Sequence, residues 1–248
     1  ADGAPDEYPP CRVKIDEPFY MGTFEVTNEQ FARFDPSHES GFISIMNKDH
    51  AYRGKAVNGP QQPAVRVSWK RATAFCEWLS DKVGRDVSLP TEAQWEWACR
   101  AGTATPLNYG ALDTDFGAIA NLADDTLNQL CIRDSPKWIP VMAGIKDGAC
   151  VTDTVGKYNR PNAWGLHDMH GNAAEWTLTA YRPYPYIDDG RDKGDAIGRK
   201  VARGGSYYDR PKRARSAFRT DYEPWQCVHN VGFRVVAAHR SGRTASRP

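Results

Sequence analysis

The chain has 248 residues, of which 40% are hydrophobic and 25% charged, with a formal net charge of +1. It is long enough for one large domain or two small ones, and its near-neutral balance argues against a dedicated nucleic-acid binder. No 18-residue apolar run is present, so no helical membrane span is expected.

Residues 1–18 read as an entering arm, with Cys11–Ile15 alternating as a short strand would, and Phe19–Val26 reads as a second strand. Thr27 then opens a helix, because Gln30 three residues on completes a capping box ahead of Phe31 and Phe34. From Asp35 to Pro63 the pattern dissolves into Gly, Pro, His and charge, which predicts a long surface loop. Ser68 caps the next helix. Trp69, Ala72, Cys76, Leu79 and Val83 form its apolar face, and Gly84 stops it. Cys76 on that face reads as core filler. Thr91 and Gln94 form a second capping box, starting a helix that carries Trp95, Trp97 and Ala98 to Gly102.

Beyond Gly102 the chain is loop-dominated, with Asn121 and Asp147 as its notable polar residues. Tyr181–Arg199 reads as an exposed polar excursion, and the runs 201–208, 216–219 and 231–236 as short strands. Six cysteines (Cys11, Cys76, Cys99, Cys131, Cys150 and Cys227) include no CxxC pair and are too widely spaced for a zinc ribbon. Their even number permits disulfides. With a first residue that is not Met, this suggests an exported protein, periplasmic or extracellular, from which a leader or tag has been removed.

The densest chemistry lies in Gly165–Trp176, where Asp168 and Glu175 offer carboxylates while Gly171 and Ala173 let the backbone turn its carbonyls inward. Two readings stand side by side: a hard-cation site, or a buried turn whose carboxylates cap backbone N–H groups. His167 and His170 flank Asp168 and hint at a transition metal only in isolation.

Six blocks occur in order: Glu25–Phe31, Pro63–Trp69, Leu89–Trp97, Trp164–Trp176, Arg203–Tyr207 and Asn230–Arg234. With them, from about Val13 to Val236, the sequence resembles the formylglycine-generating-enzyme family, also called sulfatase-modifying-factor domains. The resemblance implies an α+β formylglycine-generating-enzyme fold related to C-type lectins, with small antiparallel sheets, few helices and much ordered coil. A single domain over 1–238 and a flexible basic tail over 239–248 are expected.

The resemblance also implies two structural calcium ions. One would be held by the side chains of Asp168 and Glu175 with the carbonyls of Gly171 and Ala173. The other would take the side chains of Asn121 and Asp147 with the carbonyls of Leu122 and Ala149. Oxidising members of the family bind copper through two cysteines just after the Gly-Gly-Ser-Tyr run. Here Asp209 stands at the first position and Ala214 near the second, and no cysteine lies between Cys150 and Cys227. A soft cuprous ion wants thiolates, so no copper is expected. Cys76 and Cys99 match positions often bridged, but Ser216 and Val235 stand at the partner positions, which leaves both as buried thiols. Cys131 with Cys150 is the remaining disulfide candidate.

The cluster Arg203, Arg210, Lys212, Arg213, Arg215 and Arg219 reads either as an anion or glycan grip or as a solvated face with one or two arginines holding carboxylates inward. Ser206, Tyr208, Asp209, Arg210 and Trp225 are the expected lining of a C-terminal groove for a peptide, glycan or small molecule. The sequence-level expectation is a calcium-stabilised binding module without the copper chemistry. The alternative is an enzyme of different chemistry on this scaffold, such as oxidative maturation of a siderophore chromophore, with Asp209 or Glu223 as general base. A true formylglycine generator is the third and least favoured reading.

Overall fold

The computed structural model describes residues 3–44, 54–130 and 140–239. Its elements in chain order are β1 (Phe19–Met21), α1 (Asn28–Ala32), β2 (Phe42–Ile43), β3 (Lys55–Ala56), α2 (Trp69–Val83), β4 (Val87–Ser88), α3 (Glu92–Arg100), β5 (Ala174–Ala180), β6 (Lys200–Arg203), α4 (Pro211–Ala214), β7 (Thr220–Tyr222), β8 (Val231–Gly232) and β9 (Val236–Ala238).

The helices begin and end where their caps dictate. Thr27 and Gln30 close a reciprocal box on α1, and Thr91 and Gln94 do the same on α3. Ser68 caps α2, and Gly84 ends it in the left-handed region at φ 61°. α3 stops at Ala101 with φ 44°, one residue before Gly102.

Three small sheets result, ordered β1-β9-β4, β2-β3 and β7-β6-β5-β8. All pairs are antiparallel except β5 with β8. Phe31, Phe75 and Phe233 pack ring to ring between α1, α2 and the β8–β9 segment. Each such buried ring contributes roughly 1.5–3 kcal/mol relative to exposure. The Trp69 indole donates to the Thr177 carbonyl and the Trp176 indole to that of Val67, both at 2.8 Å, which ties α2 and the chain before it to β5.

Several expectations require correction. Cys11–Ile15 forms no strand, and β1 ends at Met21, because residues 22–26 turn to pair singly with Val235 and Phe233. The 35–63 segment holds β2 and β3 and buries Ile43 and Val57. The 181–199 excursion is not wholly exposed: Arg191 is buried against Asp189 and stacks over Tyr186. β5, the longest strand among the described residues, has no counterpart in the sequence reading. Cys76 and Cys99 are buried free thiols, as expected, and Cys150 is also free, while Cys131 lies outside the described residues. The expected basic tail lies outside them too, apart from His239.

Candidate functional site

β6 runs into Gly204 and Gly205, which adopt φ 91° and 66°. A Cβ on Gly205 would stand 3.0 Å from the Ala214 backbone, so only glycine allows this turn to pass under α4. The turn throws Ser206–Asp209 across the edge of the sheet. There a groove of about 660 Å³ opens, lined among others by Tyr208, Asp209, Arg213, Phe218, Tyr222 and Trp225. Trp225 is 65% exposed and forms its rim.

Asp209 is held from behind. Its Oδ2 accepts the Ser206 hydroxyl at 2.8 Å and the Ser206 amide at 3.1 Å, while Asn230 donates to that hydroxyl at 2.7 Å. Its Oδ1 faces the Arg213 guanidinium at 3.6 Å. Burial raises the Asp209 pKa, against the opposing pull of Ser206 and Arg213.

Of the expected groove residues, Tyr208, Asp209 and Trp225 line it. Ser206 is fully buried behind Asp209, and Arg210 is an exposed residue at the N-cap position of α4, where its side chain makes no capping bond. Glu223 belongs to a tight turn, its amide donating to Gln226 Oε1 at 2.7 Å, and is not among the lining residues. Cys227, which lies eighteen residues past Asp209 in the sequence, does line the groove. It is the one thiol there among the described residues, and Ala214 is buried with its carbonyl accepting from His170 Nδ1 at 2.7 Å. The donor set therefore does not fit a thiolate-held copper ion.

The basic cluster divides. Arg203 pairs with the half-buried Glu96, Arg215 with Glu7, and Arg219 with Glu92 at 2.6 and 2.9 Å, the three arginines themselves being buried. Arg210, Lys212 and Arg213 stay exposed.

The oxygen-bearing residues lie in two adjoining places. At the first, Asp147 reaches across to Asn121–Leu122: its Oδ2 accepts the Leu122 amide at 3.0 Å and its Oδ1 the Ala149 amide at 2.7 Å. Burial, and Asp124 beside it, push the Asp147 carboxyl up to about 7. The Asn121 side-chain nitrogen donates to the Val151 carbonyl and to Asn172 Oδ1, which leaves its Oδ1 buried without a hydrogen-bond partner.

At the second place, Asp168 sits at φ 55° and accepts the Gly156 amide at 2.6 Å. Glu175, at the start of β5, is gripped by both arms of Arg234 at 2.7 Å and by the Trp95 indole at 2.8 Å. Gly171 packs so closely on the Asn121 carbonyl that a Cβ would come within 2.1 Å of it. Sequence reasoning passed over Glu25 here. It is 1% exposed, its Oε1 accepts Asn172 Nδ2 at 3.1 Å and the Ala173 amide at 3.4 Å, and its Oε2 has no hydrogen-bond partner. Burial and the carboxylates of Asp168 and Glu175 drive its pKa well above the usual range. Its signal was its place in the Glu25–Phe31 block, just ahead of the α1 cap.

Among the described residues, no three His, Cys, Asp or Glu side chains form a metal cage by themselves. Cation binding at either place thus needs carbonyl oxygens as well. The two orphaned buried oxygens, Asn121 Oδ1 and Glu25 Oε2, are the hard donors such an ion takes. His170 is a structural residue: Nδ1 donates to Ala214, Nε2 accepts the Asn108 amide at 2.9 Å, and burial lowers its pKa to about 4.

Comparison with known proteins completes the picture. The sulfatase-modifying factor enzyme 1-like domain matches residues 1–239. Mouse formylglycine-generating enzyme is 28% identical over 94% of this chain and 69% of its own length. The mouse protein called inactive C-alpha-formylglycine-generating enzyme 2 is 30% identical over 71% of this chain and 49% of its own length. The structure of PvdO from Pseudomonas aeruginosa superposes with a TM-score of 0.72 at 24% identity, covering 96% of this chain and 87% of that one.

Proposed function

This chain belongs to the sulfatase-modifying factor enzyme 1-like family, and from that premise we propose that it is a calcium-stabilised binding module rather than a formylglycine-generating oxidase. Overall identity does not separate the two outcomes, since relatives named for the activity and a relative named inactive match to similar degrees. The groove carries the reading. Where a thiol pair would be needed stand Asp209, on the lining, and Ala214, buried, and among the described residues Cys227 is the one thiol on the lining. One thiol does not make a cuprous site.

What remains is an open trough with aromatic walls, a size and chemistry suited to a peptide segment, a glycan or a small molecule. Trp225 at the rim is the contact expected to matter most, because a large exposed ring gains the most area when a ligand covers it.

Calcium would be held at one place by Asn121, Asp147 and the carbonyls of Leu122 and Ala149, and at the other by Asp168, Glu175 and the carbonyls of Gly171 and Ala173. Both ions would neutralise buried oxygens and clamp coil that has no hydrogen-bond ladder of its own. A protein stabilised in this way fits an exported location, where calcium is abundant enough to fill weak sites. No helix of the described residues is long and apolar enough to cross a membrane.

The second reading, an enzyme of different chemistry, draws its support from Asp209, a carboxylate at the groove with a raised pKa and a fixed orientation. Peptide and glycan arrays probed with wild type and Trp225→Ala, beside an assay of a cysteine-containing peptide with Cu(I) and oxygen, test the account. Binding that falls at least about tenfold in Trp225→Ala, with no aldehyde formed, is the expected result. Copper-dependent conversion of the cysteine would overturn it.

A further inference from the structure

We propose that the hollow between segments 108–119, 144–146 and 160–163 binds a small molecule through its phosphate or carboxylate group, gripped by Arg160, Lys146 and the Tyr109 hydroxyl. The hollow encloses about 790 Å³ and shares no lining residue with the groove beside Asp209. Coil builds it. Asp115 accepts the Gly117 amide at 2.9 Å and fixes one wall, while the Asn162 side chain donates to the Ala98 carbonyl at 2.8 Å and fixes another. Ile119 and Ile145 also line it, a surface for the carbon body of an organic anion.

Three donors meet there with nothing to donate to. The side chains of Arg160 and Lys146 make no ion pair or hydrogen bond among the described residues. Arg203, Arg215, Arg219 and Arg234, by contrast, are each engaged on a carboxylate. An exposed cation without a partner is ordinary by itself. Tyr109 is not ordinary: its hydroxyl is buried without a hydrogen-bond partner, and its ring sits edge-on to His170 at 5.5 Å. An unmet buried hydroxyl is costly. Burial also lifts its pKa above the usual phenol value, so at neutral pH it is a donor lacking an acceptor. Tyr109 and Arg160 border, in addition, one narrow void of about 10 Å³, so the two residues converge. Asp168 borders that void too, with its Oδ2 accepting the Gly156 amide.

Charge selects the ligand. Of the charged groups lining the hollow, Arg160 and Lys146 are cations and Asp115 is an anion whose Oδ1 serves the backbone. A phosphate or carboxylate presents paired oxygens to a guanidinium fork and keeps lone pairs for an ammonium and a phenol. A cationic ligand would meet two like charges.

The test is calorimetric titration of phenyl phosphate and of benzoate, with benzyl alcohol as the uncharged control. The full chain is compared with Arg160→Gln, Tyr109→Phe and Trp225→Ala. Wild type and Trp225→Ala should bind at least one anion equally well, and benzyl alcohol not at all. Tighter binding of one anion than the other identifies the head group. Arg160→Gln should weaken it at least about tenfold, and Tyr109→Phe about threefold or more. Melting separates a ligand contact from a structural one. Without anion, Tyr109→Phe should melt at or above the wild-type temperature, and saturating anion should raise wild type by more than the variant. Wild type that binds neither anion, or affinities unmoved by Arg160→Gln and Tyr109→Phe, would overturn the site. Anion binding abolished by Trp225→Ala would place the anion in the groove and overturn it equally. Should Tyr109→Phe not fold, Arg160→Gln keeps the test decisive, because Arg160 is exposed and loses no described contact.

Discussion

Single residues in this chain do work that their types do not advertise. Lys200 is 2% exposed and sits 4.0 Å over the Trp69 ring, donating to the Ala196 carbonyl at 2.9 Å, with no carboxylate among the described residues bound to it. Burial lowers its pKa to about 8. A lysine lowered in the folded state keeps its proton longer in the unfolded chain, so between about pH 8 and 10.5 the unfolded chain binds more protons and stability rises with pH. Urea unfolding from pH 7.5 to 10 should show wild type gaining about 2 kcal/mol relative to Lys200→Met across that window. Parallel pH curves for the two proteins would mean the ammonium is solvated. The arginines teach the same lesson. Arg203, Arg215, Arg219 and Arg234 looked like half of a basic surface or a strand run, yet each is spent on a carboxylate: the half-buried Glu96 for Arg203, and the buried Glu7, Glu92 and Glu175 for the others.

At the scale of elements, what could be read in the sequence follows from how local the signal is. The starts of α1, α2 and α3 lay in the chemistry of Thr27, Ser68 and Thr91, because a capping bond spans three residues and needs no tertiary partner. Thr91→Ala removes a bond of 3.1 Å to the Gln94 amide at the head of the helix that delivers Trp95 to Glu175. It should cost about 1 kcal/mol in chemical denaturation, and a cost below about 0.3 kcal/mol would show that packing alone fixes the α3 start. β5 escaped notice for a different reason. Ala174, Trp176, Leu178 and Ala180 alternate with Glu175, Thr177 and Thr179, a legible strand pattern, but the polar set is buried too. Glu175 meets Arg234, Thr177 donates to the Val201 carbonyl at 3.0 Å, and Thr179 accepts the Glu92 amide at 2.8 Å. A strand wet on neither face loses the contrast by which alternation is recognised. β2, β3, β4 and β8 have two residues each, too short for any periodicity.

For the whole molecule, the six blocks carried the family and fold, whereas the geometry of the groove depended on contacts between distant segments. Tyr208, Asp209 and Trp225 are legible in the sequence as its lining; Cys227 is not, because the turn through Glu223–Gln226 brings it onto the groove only in three dimensions. Glu25 was hidden likewise, 147 residues from its partner Asn172. Asn172 itself joins the two oxygen-rich places: it accepts from Asn121 and donates to Glu25, so an ion at either would stiffen the coil that frames the other. Elemental analysis of the purified protein after exposure to calcium and Cu(I), paired with melting in EDTA, tests most directly whether calcium rather than copper is the metal of this fold. About two calcium ions per chain, no copper, and a melting temperature that falls by roughly 10 °C or more on chelation are predicted. Stoichiometric copper, or a melting curve indifferent to EDTA, would contradict it.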